Sequence, residues 1–532
     1  MSNVEDVLPL TPLQEGQLFH AEFDEAGPNL YTAYLSAELS GPLDVAVLRS
    51  ACAQLLARHQ SLRACFRQDR ANQVVQVVRR EVPLLWRQVD LSGCPEDECA
   101  ERLDRLTAAA RADRFDLTKA PLIRFMLVRL APEDHRFIMT NHHAVLDGWS
   151  TSVVLAELAE LYERRGDASG LPTPPPCRDY YRWLAKQDRD AAKNAWQDAL
   201  TGLAGPTLLA PSDPDRWLAR PDQFRVELPR ELVDRLKGFA RGRGLTLNTL
   251  FQGALGLALG CVTGQSDVVF GATVTGRPPE VPGIENMVGM FINTVPVRVR
   301  QQLSRAERLV AMLARLQGEQ SRLIAHHYLG LVDIRRAAGQ AELFDTHLAF
   351  QNFPWSGEAS GFPLSGIKAD MSTNYSLSVV VQSSGDAISV DVEHRPGVVD
   401  RRTAEAVAGG MVRVLETVVA APDMPVSRVE VLRAEDRRAV LELGEGSAVE
   451  ADAVSVPELF AARAAATPES AALVCGDVSL SYRELSSRVN RLAHRLVAAG
   501  VGPEDPVAVL LPRSADSVVA LLGVLAAGAM YV

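Results

Sequence analysis

The sequence predicts an α/β protein made of two mixed lobes and a smaller third unit. Three observations carry that expectation. Helix-period and strand-period stretches alternate over the first 435 residues, a triple-proline run in "GLPTPPPC" interrupts them, and a small, polar, weakly patterned stretch precedes the last segment. The expected limits are 1–177 for an N-terminal lobe, 178–435 for a C-terminal lobe, 436–454 for a linker and 455–532 for the final unit. A chain of 532 residues is too long for a single core. Its 47% apolar and 23% charged residues are ordinary globular composition, and a net charge of −11 argues against a nucleic-acid footprint. No basic start followed by an apolar run opens "MSNVEDVLPLTPLQEG", and the longest apolar runs are too short to span a bilayer. A cytoplasmic protein with no membrane partner is expected. Seven cysteines are scattered, and only Cys94 and Cys99 lie close together. No second pair completes a zinc spacing, so reduced thiols and no metal are expected.

The elements follow in order. "DVAVLRSACAQLLARHQ" places Leu48, Cys52, Leu55 and Leu56 on one helical face, with Asp44 as N-cap. "PLIRFMLVRL" and "HRFIMT" are strand-like runs joined by "APEDH", a hairpin pattern. "NHHAVLDGWS" follows directly, and then "STSVVLAELAELYERR", an amphipathic helix that Ser150 or Asp147 can cap. After the prolines, "LTLNTLFQGALGLALG" reads as helix and "SDVVFGATVTG" as a strand entering a glycine turn. "RLVAMLARLQGEQSRLIAHH" reads as a long helix, "THLAFQNFP" and "AISVDVEHR" as strands, and "TAEAVAGGMVRVLETVVA" as a closing helix.

His142 and His143 thus sit on a strand-to-helix loop. A metal reading would use His143 and Asp147 at i, i+4, but no third ligand is near in sequence. A pair of structural histidines is the bland alternative. A catalytic reading draws on position: neutral imidazole in a loop at a strand end is a common base, able to take a proton from an attacking amine or hydroxyl. Gly148 would leave room for substrate and permit an unusual backbone angle.

"HHAVLDG" resembles the HHxxxDG motif of the condensation domains of non-ribosomal peptide synthetases, within an acyltransferase superfamily that includes chloramphenicol acetyltransferase. Further stretches resemble that family in order: "LTPLQEGQLFH", "RHQSLRACF", "RDYYRWL", "MVGMFINTVPVR", "AHHYLGLVDI" and "LFDTHLAFQNFP". Near the end, "LSYRELSSRVNRLAHRL" resembles the first core motif of adenylation domains, and "LLGVLAAGAMYV" the second, cut short. No Gly/Ser/Thr-rich phosphate loop follows, so this stretch is not expected to activate amino acids.

The resemblance implies two chloramphenicol-acetyltransferase-like lobes in a V-shaped pseudo-dimer, followed by a partial α/β adenylation fragment. It implies a tunnel between the lobes. An upstream carrier protein would deliver a donor acyl or peptidyl thioester, and a downstream carrier an aminoacyl acceptor, each on a phosphopantetheine arm and with no intrinsically bound cofactor. The neighbouring adenylation domain would load the acceptor. The catalytic role falls on His143, as a base or as a group that orients the amine. His142, Asp147 and Gly148 would shape its loop, with Asp147 paired to an arginine for which Arg63 is the matching position. Trp149, Ser150 and Asn293 are candidate tunnel residues, although Trp149 and Ser150 also suit packing and capping, and Asn293 a strand end. Gln351 and Asn352 hold the family's QN positions. His326 and His327 end a helix, where an imidazolium is favoured. The opening motif resembles domains that accept a D-configured donor residue. Departures are Gln60 for the usual Glu, Ala64 for the usual Thr, and "HHYLGLVD" in the later His segment. An epimerisation domain would need an additional acidic stretch that the sequence lacks. A non-catalytic platform that only docks carrier proteins or a tailoring enzyme would be expected to carry a damaged HHxxxDG.

Overall fold

In the computed structural model the chain divides into two units, Met1–Val440 and Leu441–Val532. The structure describes residues 3–23, 30–210, 221–301, 306–351, 362, 364–371, 373–446 and 454–532.

The N-terminal lobe runs β1 (Val4–Leu8), α1 (Pro12–Phe23), β2 (Thr32–Ser40), α2 (Val45–Arg58), β3 (Ala64–Gln68), β4 (Val74–Arg79), β5 (Trp86–Asp90), α3 (Glu96–Ala112), β6 (Ile123–Ala131), β7 (Asp134–His142) and α4 (Gly148–Glu163). Helix α2 starts where expected, because the Asp44 carboxylate accepts from the Ala46 and Val47 amides. Its face of Leu48, Cys52, Leu55 and Leu56 is buried with Leu127, Phe137, Val154 and Leu158. β6 and β7 form the expected hairpin.

After α5 (Cys177–Leu184), the C-terminal lobe contributes β8 (Asp222–Glu227), β9 (Asp267–Val274), β10 (Asn293–Arg300), β11 (Thr346–Gln351), β12 (Leu364–Asp370), β13 (Leu377–Ser384) and β14 (Ala387–His394). Its six-stranded sheet has the order β10-β9-β11-β13-β14-β8. One face packs on the helices Leu247–Thr263, Leu309–Leu323 and Arg401–Ala420 through Phe251, Leu255, Phe270, Val379, Leu313 and Val414.

One strand crosses the expected lobe boundary. β12 lies within 178–435 but pairs antiparallel with β2, giving the N-terminal sheet the order β12-β2-β7-β6-β5. Phe362, Leu364 and Ile367 find their apolar partners in the N-terminal core, which is why the chain crosses. The pairing shifts register between Ser365 and Lys368, where Gly366 takes φ +56°. A Cβ there would sit in a disfavoured backbone region and 2.8 Å from the Glu38 carboxyl carbon. The stretch expected to be a linker also begins differently, as the helix Ala434–Gly444; residues 447–453 lie outside the described ones.

The second unit contains the helix Val456–Ala466, a hairpin of Ala471–Cys475 with Val478–Ser481, and the helices Tyr482–Ala498 and Ala515–Ala526. Ser455/Glu458 and Ser481/Glu484 form capping boxes that start the first two helices. Leu480, Leu485 and Val489 form its small core.

Candidate active site

The histidine loop is built by the end of one ladder and the start of one helix. Pairing of β2 with β7 ends at Thr32 opposite His142, and the His143 N–H then donates to the Tyr31 carbonyl at 2.7 Å. A 3₁₀ turn, His143–Val145, follows, and Asp147 caps α4 by accepting from the Ser150 amide at 2.7 Å. The His143 Nδ1 lies 2.8 Å from the Leu146 carbonyl oxygen. A carbonyl only accepts, so Nδ1 carries the hydrogen and Nε2 presents its lone pair. His142 has the opposite tautomer: its Nδ1 accepts from the Ala144 amide at 3.2 Å, which puts the hydrogen on Nε2.

Burial is the main cause holding the His143 pKa below its ordinary value; the Asp147 carboxylate and the Leu146 carbonyl push the other way. The His142 pKa falls to about 3, through burial first and then its neighbour His143. Both rings are therefore neutral near pH 7. His143 keeps 8% of its surface exposed, while Asp147 has none.

Asp147 joins the loop to the second lobe. Its Oδ2 accepts from the Phe291 amide at 2.9 Å, and its Oδ1 lies 3.2 Å from Arg277 Nη2. Arg277 also donates to Ser150 Oγ at 2.7 Å, to the Met287 carbonyl at 2.8 Å and to the Ile284 carbonyl. The arginine expected to pair with Asp147 is thus not Arg63, whose guanidinium binds Glu5 and the Arg79 carbonyl. The reason is placement: Arg63 ends a 3₁₀ turn against the edge of the β1-β4-β3 sheet. Arg277 instead follows β9 at a glycine turn aimed at the histidine loop. A Cβ at Gly276 would fall 1.8 Å from the Phe291 carbonyl oxygen, so that approach requires glycine. In the sequence, Arg277 shows only as a cation after a strand and a glycine, in "TGRPP". Because the Asp147 carboxylate is committed to two amides and a guanidinium, it is not free to share a metal with His143.

A second residue that sequence reasoning misses lies beneath the loop. Gln14, from the opening motif, donates from Nε2 to the Ala144 carbonyl at 2.6 Å and to Gln76 Oε1 at 3.1 Å. Gln76 in turn reaches the Tyr181 hydroxyl and the Pro9 carbonyl. This buried chain gives a glutamine far upstream of the histidines a part in holding their loop.

The three candidate tunnel residues serve the scaffold. Ser150 is 0% exposed; its Oγ donates to the Gly289 carbonyl at 2.9 Å and accepts from the Gly289 amide at 3.0 Å. Trp149 is half-buried and its indole donates to the Glu285 carbonyl at 2.8 Å. Asn293 opens β10, donates to the His327 and Leu329 carbonyls at 2.7 and 2.8 Å, and accepts from the Thr294 amide. Its amide is fully used. Gly148 begins α4 and is not among the glycines with positive φ, so it supplies no special backbone angle. His327 is not the expected helix-end imidazolium either. Burial, then His326, lowers its pKa to about 4, and its ring stacks near Trp196. Gln351 ends β11, and Asn352 lies outside the described residues.

A pH dependence of stability follows. His142 (about 3), His327 and His347 (both about 4) are held neutral by burial. In the unfolded chain each titrates near the ordinary value of about 6.5. Between these values the unfolded state binds protons that the folded state refuses, so stability present above pH ~6.5 is lost progressively as pH falls toward 4. The urea midpoint is expected to be lower at pH 5 than at pH 7.5; an equal or higher midpoint at pH 5 would contradict this.

Comparison with known proteins agrees with the geometry. A family model described as "Condensation domain" matches residues 4–441, and one described as "AMP-binding enzyme" matches residues 460–532. One of the linear gramicidin synthase proteins of Brevibacillus parabrevis is 34% identical over 548 residues, which is 100% of this chain but 7% of the relative. Tyrocidine synthase 2 of the same organism is 31% identical over 543 residues, which is 99% of this chain and 15% of the relative. The chain therefore spans only a small part of the length of these relatives. The first condensation domain of the calcium-dependent antibiotic synthetase, solved with a substrate analogue, superposes with a TM-score of 0.68 at 23% identity, over 81% of this chain and 100% of that one. The non-ribosomal peptide synthetase FmoA3 in its AMPPNP-bound form gives 0.74 at 23% identity, over 99% of this chain and 55% of that one. At those identities the two structures establish the fold.

Proposed function

The chain belongs to the condensation-domain family of non-ribosomal peptide synthetases, with the start of an AMP-binding unit after it, and on that premise we propose that it forms amide bonds between two carrier-bound substrates. The donor is an acyl or peptidyl thioester on an upstream carrier protein. The acceptor is an aminoacyl thioester on a downstream carrier, loaded by the adjacent adenylation domain in the cytoplasm. Both arrive on phosphopantetheine arms.

The observation that carries the reading is the tautomer of His143: its Nδ1–H is committed to Leu146, so Nε2 is the basic nitrogen. In the reaction, the acceptor nitrogen attacks the donor carbonyl carbon. The C–N bond forms, the C–S bond breaks, and the donor arm leaves as a thiol. Nε2 accepts a hydrogen bond from the amine, aims its lone pair, and takes its proton as the new bond forms. The proton then passes to the leaving sulfur. Lowered basicity is tolerable because a thioester is already activated and because nitrogen acidifies as it bonds to carbon. Holding the reactants in attack geometry supplies much of the rate.

We also propose that the donor residue is D-configured, on the strength of the opening stretch "LTPLQEG". One experiment tests both proposals. Donor carriers ending in an L or a D residue are mixed with loaded acceptor carriers, and the amide product is quantified. Product is expected in both cases, faster with the D donor. Faster turnover of L removes the chirality claim. No product with any of several matched pairs overturns the condensation reading.

A further inference from the structure

Tyr31 is the residue immediately before β2, and its backbone φ is +61°. That region is disfavoured for a bulky aromatic residue, and such conformations persist only where surrounding contacts hold them. Two contacts act in that way here. The Tyr31 carbonyl accepts the His143 N–H at 2.7 Å, one step beyond the last β2–β7 pair. The Tyr31 hydroxyl donates to Asn374 Oδ1 at 3.0 Å, across 343 positions of sequence. Asn374 lies where the chain returns from β12 to β13, so this bond ties the start of β2 to the C-terminal lobe. Next to it, the Tyr375 ring stacks on His347 with centroids 4.8 Å apart and planes 7° from parallel. The carbonyl of Tyr375 also accepts from the buried guanidinium of Arg395. The anchor is therefore itself held by contacts within the second lobe. Burial pushes the Tyr31 hydroxyl pKa up, so it remains a donor throughout the working pH range.

We propose that Tyr31 is a positioning residue for the reaction: from one side it carries the His143 backbone, and from the other it fixes that loop against the C-terminal lobe. The inference rests on the condensation reading. Asp147 and Arg277 hold the far end of the same loop, so Tyr31 sets the near end, where the imidazole is attached.

The test uses the whole chain with a carrier pair that supports wild-type turnover. Tyr31→Phe keeps the ring and the main chain but removes the donor. It is expected to lower kcat about tenfold, leaving KM for both carriers within about twofold, since displacement of a catalytic group acts on the reacting complex. Asn374→Ala should do the same, and the double variant should be no worse than either single one. Asn374→Asp keeps an acceptor and should restore kcat when Tyr31 is present but not beside Tyr31→Phe. If Tyr31→Phe does not fold, the two Asn374 variants carry the test alone. Wild-type kcat in Tyr31→Phe or in Asn374→Ala, single effects that multiply, or an Asn374→Asp variant as slow as Asn374→Ala would overturn the proposal. Absence of product from wild type would overturn the condensation reading instead, so the two failures are distinguishable.

Discussion

His143→Ala is expected to slow amide formation by about 10²–10⁴-fold, the range typical of removing a positioned acid–base group. Rates would be measured with both carriers loaded and saturating. The unfolding midpoint should change little by comparison. The ring's bond from Nδ1–H to the Leu146 carbonyl is lost, but the turn keeps the Gln14 bond to Ala144 and the Asp147 cap. Loss of rate without loss of fold is the signature that separates a reacting histidine from a structural one. His142 gives the contrast. Its Nδ1 already accepts from the Ala144 amide, so removing it orphans a buried backbone donor and should register in stability. If His143→Ala turns over at the wild-type rate, the ring has no part in the chemistry as base or as positioning group; a platform that only docks carriers becomes the better account only if wild type itself forms no product.

Some of this is legible in the residues alone, and the division has a physical cause. The α2 cap and its buried face, the β6–β7 hairpin and the loop position of the paired histidines all depend on interactions within a few residues, which periodicity and capping chemistry report. The compact motif from His142 to Gly148 marks the loop for the same reason. What stays hidden depends on contacts far apart in the chain. The partner of Asp147 is 130 positions away, and Gln14 reaches Ala144 over the same separation. Nothing local in "TGRPP" distinguishes Arg277 from a surface cation, whereas Arg63 sits inside a recognisable segment and attracts the assignment. β12 is hidden likewise: an alternating strand does not reveal which sheet will accept its edge. Asn293 does sit at a strand end, but only its three hydrogen bonds, all to distant or neighbouring backbone, show that its amide serves the scaffold.

The second large effect is on the loop's far anchor. Asp147→Ala should destabilise the first unit by about 3–5 kcal/mol, the usual cost of leaving one member of a buried ion pair alone. The side chains of Arg277 and Asp147 are 6% and 0% exposed, so solvent does not replace the missing charge. The loss also takes the cap from α4 and the acceptor from the Phe291 amide. Arg277→Ala should cost less. Asp147 would retain two amide donors and the favourable field at the start of α4, while the carbonyls of Ile284 and Met287 tolerate an empty site better than an amide does. Asp147→Asn should resemble the alanine variant in direction, because its amide group must face either the Phe291 N–H or the guanidinium, donor against donor. Arg63→Ala provides the control. It breaks a pair with Glu5, away from the histidine loop, so the folded protein should form amide at the wild-type rate. Urea midpoints ranked with Asp147→Ala lowest and Arg277→Ala between it and wild type, together with slowed turnover in both and not in Arg63→Ala, would follow from the observed pairing. Slowed turnover confined to Arg63→Ala would mean that the working state pairs Asp147 with the other arginine after all.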